Sequence, residues 1–125
     1  MKGDNDMLTP EQITAVAYKA LDAKNAKDVK ILKTAEHTVL ADYFVICNGT
    51  SPAHIKALVD EVDRELSEAG EPPMRREGLR SDIWVLMDFG SVIVHIFTDE
   101  ARKFYDLERL WSDAEAVNPS SLPSP

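Results

Sequence analysis

The sequence predicts an α/β fold: a single mixed sheet of about five strands with helices packed on it. Three observations lead there. Two stretches repeat apolar residues at helical spacing: Ile13, Val16, Ala17, Ala20, Leu21, and Ile55, Leu58, Val59, Val62, Leu66. The block Tyr43-Phe44-Val45-Ile46-Cys47 is apolar on both alternations, as a strand covered on both faces must be. Two more strand-like blocks, residues 83–88 and 92–97, are separated only by Phe89-Gly90-Ser91. That path is too short for a crossover helix, so they pair as an antiparallel hairpin.

The elements follow in order. Thr9-Pro10-Glu11-Gln12 opens the first helix. The Thr9 hydroxyl can accept from a free backbone N–H, and Gln12 can reach back to the Thr9 N–H. Pro10 suits the first helical position because its missing N–H would be unpaired anyway. Lys24-Asn25 marks the end. Residues 28–32 alternate as a short strand, and residues 39–47 hold a second, central one. Gly49-Thr50-Ser51-Pro52 joins that strand to the second helix, with Ser51 as cap. Gly70 stops this helix in the left-handed conformation, and Pro72-Pro73 forbids its continuation. Met74-Arg75-Arg76-Glu77 leads into the hairpin. Thr98-Asp99-Glu100 caps a last, aromatic-rich helix over 100–111, with acids where the helix dipole favours them. Phe104, Leu107, Leu110 and Trp111 fit a packing stripe on it. The predicted order is α-β-β-α-β-β-β-α. Residues 9–116 form one domain. Residues 1–8 read as a flexible N-terminus and 117–125, rich in Pro and Ser, as a disordered tail.

The 125 residues can bury a core without disulfides. The lone Cys47 has no internal partner. No apolar run approaches the roughly 18 residues of a membrane span, and the polar, acidic start is no secretion signal. A cytoplasmic protein is expected. The net charge of -8 argues against a bare nucleic-acid binder, because that affinity comes largely from Lys and Arg neutralising phosphates. Solubility alone is one reading of the acidity; a basic protein partner is the sharper one.

Candidate chemistry is sparse. Gly49-Thr50-Ser51 at a helix start could cradle an anion, but it lacks the lysine and glycine spacing of a phosphate loop. Metal-dependent nucleotidyl transfer needs neighbouring carboxylates. Asp60, Glu61, Asp63 and Glu65 read as the solvated face of a helix. Asp82 and Asp88 lie six residues apart on one strand, about 20 Å, whereas paired metals sit about 4 Å apart. His37, His54 and His95 show no ligand spacing. His95 shares the layer of Ile93 and Phe97 and reads as a core or rim histidine. Cys47 ends an apolar strand and reads as filler rather than nucleophile. Trp84 shares a strand face with Leu86 and Asp88. A tryptophan beside acids suits an anchor for an Arg- or Lys-bearing partner; it equally suits core packing under a helix. Three rival readings stay open: a nucleotidyl-transfer enzyme, a small-molecule module at the Gly49-Thr50-Ser51 junction, and a dimerisation domain using the Trp84 face.

Residues 41–51 (Ala-Asp-Tyr-Phe-Val-Ile-Cys-Asn-Gly-Thr-Ser) with His54-Ile55 resemble the first block of the ribosomal silencing factor, or Iojap-like, family. Arg76-Glu77-Gly78 with Trp84-Val85-Leu86-Met87-Asp88-Phe89-Gly90 resembles its second block. Residues 92–97 and 104–111 resemble its third. The likeness runs from about Thr9 to Ala114. It implies a nucleotidyltransferase-like fold without the catalytic carboxylates, and therefore no enzymatic activity, no catalytic or metal-binding residues and no cofactor. It implies a factor that binds the large ribosomal subunit at its protein number fourteen, with little direct nucleic-acid contact and none with a membrane. Occupying that face blocks joining of the small subunit and represses translation under nutrient limitation. It further implies a homodimer when free. Carried over by position, the docking face comprises Glu77, Trp84, Leu86 and Asp88, with Tyr105 beside them. Ser91 departs from the family pattern, which commonly has an acid after the glycine.

Overall fold

A computed structural model describes residues 7–35, 41–78 and 83–123. The expectations for residues 1–6, 39–40 and 124–125, for His37 and for Asp82 fall outside the described residues.

The elements in chain order are α1 (Pro10–Ala23), β1 (Lys27–Lys33), β2 (Tyr43–Gly49), α2 (Pro52–Glu68), β3 (Arg75–Glu77), β4 (Trp84–Asp88), β5 (Val92–Thr98), α3 (Asp99–Tyr105), α4 (Leu107–Leu110) and β6 (Glu115–Ala116). A single 3-10 turn, Pro119–Ser121, follows. Helix starts are as the sequence implies. Thr9 and Gln12 form a reciprocal capping box on α1, and the Ser51 hydroxyl accepts from the His54 N–H at 3.1 Å to cap α2.

One mixed sheet runs β3-β4-β5-β2-β1-β6. Among the described strands only β2 and β5 pair in parallel, and the order places the wholly buried β2 near the middle. The β4–β5 hairpin is antiparallel, with Trp84 opposite Phe97 and Asp88 opposite Ile93. Gly90 turns it at φ 86°, a conformation that favours glycine.

The two sheet faces are treated differently. Val45, Cys47, Val85, Met87, Val94 and Ile96 point to one face and are sealed by the apolar stripes of α1 and α2. The opposite face carries Leu32, Phe44, Ile46, Ile93 and Phe97. Among the described residues it is covered by Ala101 and, partly, by Tyr105, Leu107, Trp111 and Ala114.

Two expectations are corrected. The last helix is not continuous: Asp106 takes a left-handed conformation (φ 47°) and splits it into α3 and α4. The stripe of Phe104, Leu107, Leu110 and Trp111 is therefore broken. Leu107 and Trp111 pack on the sheet, whereas Phe104 and Leu110 are 81% and 71% exposed. Among the described residues the sheet has six strands rather than about five, because Glu115–Ala116, at the end of the expected domain, join it as β6. β6 pairs with β1, and the Val117 N–H donates to the Ile31 carbonyl at 2.9 Å. The outer edge of β1 offers unpaired backbone groups, and this segment satisfies them. Val117 and Leu122 then pack against the α1–α2 core, and Asn118 caps the 3-10 turn.

Candidate docking face

Strand alternation and register bring together Glu77, Trp84, Leu86 and Asp88, and Tyr105 approaches them from α3. Trp84, Leu86 and Asp88 alternate along β4, all half-buried, on the thinly covered face. Glu77 lies directly opposite Leu86 on β3, and side chains of directly opposed residues share a face. Tyr105, at the end of α3, sets its ring 4.7 Å from that of Trp84.

Gly78 makes this placement possible. It sits at φ 82°, and any Cβ there would collide with the Trp84 carbonyl oxygen. Only glycine lets the chain leave β3 this close to the start of β4.

Trp84 is both packed and presented. Its ring stacks on Phe97 at 5.1 Å, and its Nε1–H donates to Nδ1 of His95 at 3.2 Å. His95 is buried, and burial holds its imidazole down at about 4, so it is neutral at pH 7. With Nδ1 accepting, the ring proton belongs on Nε2, which is buried and has no hydrogen-bond partner among the described residues. Its ring sits edge-on to Phe44 at 4.9 Å. The sequence expectation of a core or rim histidine understated this role, since His95 holds the tryptophan from beneath.

Asp88 is likewise double-duty. Its Oδ1 accepts from the Gly90 N–H at 2.8 Å and stabilises the hairpin turn. Its Oδ2 lies 3.4 Å from Nη2 of Arg75. Arg75 also reaches Glu77 with its Nε at 3.0 Å. Sequence reasoning missed Arg75. Its sign and place opposite Asp88 were the available signal, but the β3–β4 register was needed to use it.

A second polar cluster anchors the cover of this face. Arg102 is buried and makes a two-point contact with Glu108, Nε–Oε1 2.9 Å and Nη2–Oε2 3.2 Å. Its Nη1 donates to the Asp28 carbonyl at 2.6 Å and to Asn48 Oδ1 at 3.0 Å. The guanidinium holds the Glu108 carboxyl below its ordinary range. This network ties α3 and α4 to β1 and β2.

The other sequence candidates are structural. Cys47 is fully buried and its thiol is pushed up to about 12, the state of a filler. His54 accepts from the Thr50 N–H at Nδ1 (2.9 Å), and its Nε2 bonds the Lys24 carbonyl (2.7 Å), linking α2 to the end of α1. Thr50 and Ser51 are thus engaged in turn and cap. No helix among the described residues is long and apolar enough to cross a membrane.

Residues 7–125 match the family model described as ribosomal silencing factor during starvation. The ribosomal silencing factor RsfS of Halalkalibacterium halodurans is 36% identical over 110 residues, 88% of this chain and 94% of that relative. The Mus musculus protein named mitochondrial assembly of ribosomal large subunit protein 1 is 35% identical over 95 residues, 74% of this chain and 42% of that relative. A crystal structure of a Chromobacterium violaceum protein superposes with a TM-score of 0.82 at 35% identity, covering 84% of this chain and 88% of that one. The chain belongs to the ribosomal silencing factor family, whose members are regulators rather than enzymes.

Proposed function

We propose that the chain docks on the large ribosomal subunit, at its protein number fourteen, through the face carrying Glu77, Trp84, Leu86, Asp88 and Tyr105. Seated there, it sterically keeps the small subunit from joining and represses translation when nutrients are scarce. One observation carries the reading. One side of the sheet is sealed by two helices, while the other leaves a half-buried tryptophan on the same face as two acids of β3 and β4. Buried aromatic anchors ringed by polar groups dominate the energetics of protein interfaces. A net charge of -8 suits a basic ribosomal protein better than RNA. The name of the mouse relative links a related chain to the large subunit. The expected site of action is the cytoplasm.

The free chain is proposed to be a homodimer. Phe104 and Leu110, exposed on α3 and α4, favour a further apolar contact. Sedimentation velocity gives the oligomeric state.

The docking test is co-sedimentation with separated large and small subunits at near-physiological salt. Selective pelleting with the large subunit is expected. Pelleting with neither, or equally with both, refutes the reading.

A further inference from the structure

Glu77 and Asp88 already share a cation within the chain. Arg75 opens β3 directly opposite Asp88, with its Nε 3.0 Å from Glu77 and its Nη2 3.4 Å from Asp88. Its side chain is 60% exposed, so both contacts are screened by water and weakly held. The next residue, Arg76, points to the opposite side of β3 and pairs with Asp63 of α2 at 2.8 Å. Of two adjacent arginines, only Arg75 lies on the docking face. A cationic group approaching that face meets one net negative charge from the three side chains, where the two acids alone would present two.

We propose that Arg75 is an internal competitor for the basic groups of the docking partner. In the free chain it occupies Glu77 and Asp88, and it must yield them before a partner's Lys or Arg takes its place. This rests on the docking reading above and deepens it. The physical effect has two parts. Long-range attraction to a basic surface is weakened, which slows encounter. An isolated lysine gains little by displacing a guanidinium that already spans both acids, whereas a clustered basic surface gains more. Arg75 would thus raise the selectivity of the face and lower its raw affinity.

The test measures association rate and affinity for isolated large subunits, at low and at near-physiological salt. It compares the wild-type chain, Arg75→Gln, Arg75→Lys and Arg76→Gln. Arg75→Gln is expected to associate about two- to fivefold faster at low salt, the scale of an exposed ion pair, with a steeper salt dependence. Arg75→Lys keeps the charge and should stay near wild type. Arg76→Gln makes the same change in net charge on the other side and should gain much less. Unchanged or weaker binding by Arg75→Gln overturns the proposal. So does an equal gain in Arg76→Gln, which would make net charge the cause. Wild-type chain that fails to bind large subunits refutes the docking reading and this inference together. Wild-type binding with no gain in Arg75→Gln refutes the inference alone.

Discussion

Replacing Trp84 with alanine separates its two roles by magnitude. A tryptophan side chain buries about 250 Å² when fully enclosed. Trp84 is mostly buried, which leaves at least about 160 Å² to be lost. At about 25 cal/mol per Å² that is at least about 4 kcal/mol. Losing the bond to His95 Nδ1 strands a second nitrogen on a buried ring whose Nε2 is already unpartnered, about 1 kcal/mol more. A domain in the middle of the typical range of about 5–15 kcal/mol survives this loss. The Trp84→Ala chain should therefore fold, melt more than about 10 °C lower, and dock a few kcal/mol more weakly. Trp84→Phe keeps the stack on Phe97 and Tyr105 and should lose only about 1–2 kcal/mol. Urea unfolding gives the stability difference, and large-subunit binding of the folded fraction gives the docking difference. A stability loss below about 1 kcal/mol in the alanine chain would refute the packing described here. An alanine chain that cannot fold would make Trp84 a core residue and end its assignment as an anchor.

Three more expectations rest on its neighbours. His95 is held near 4 in the fold against an ordinary value of 6.5, so the unfolded chain takes up its proton first as pH falls. Its contribution, about 3 kcal/mol, is fully present above pH 6.5 and is lost on descent toward 4; protonation would also set an N–H against the Trp84 donor. Urea midpoints between about pH 6.5 and 5 should therefore fall less steeply in His95→Phe than in the wild type, and parallel slopes would refute this. Gly78→Ala drives a Cβ into the Trp84 carbonyl and should cost at least about 2 kcal/mol in thermal or urea unfolding while weakening docking; a neutral outcome would contradict the close approach. Arg102→Met strands Glu108, Asn48 and the Asp28 carbonyl and should cost about 3–5 kcal/mol by the same assay, with a loss below about 1 kcal/mol counting against the network.

Much of this fold was legible because its signals are local. Thr9 and Gln12, Ser51 and Pro52, and the two helical stripes each act within a few residues of themselves. The hairpin was legible because three turn residues admit no other connection. The continuity of the last helix was misread because Asp106 carries no helix-breaking signature; its left-handed backbone shows only in three dimensions. The sixth strand was missed because local composition says nothing of the open β1 edge that residues 115–117 complete. At the docking face, the period of two placed Trp84, Leu86 and Asp88 together. Arg75 needed the β3–β4 register, and the bond from Trp84 to His95 needed the β4–β5 one.

The central claim is that this chain keeps ribosomal subunits apart by occupying the large one. Its most direct test is light scattering during subunit joining, with large subunits incubated with the chain before small subunits are added. The account predicts that joining falls as the chain approaches equivalence with large subunits, and that preincubation with small subunits gives no such block. Undiminished joining at saturating, folded chain would contradict it.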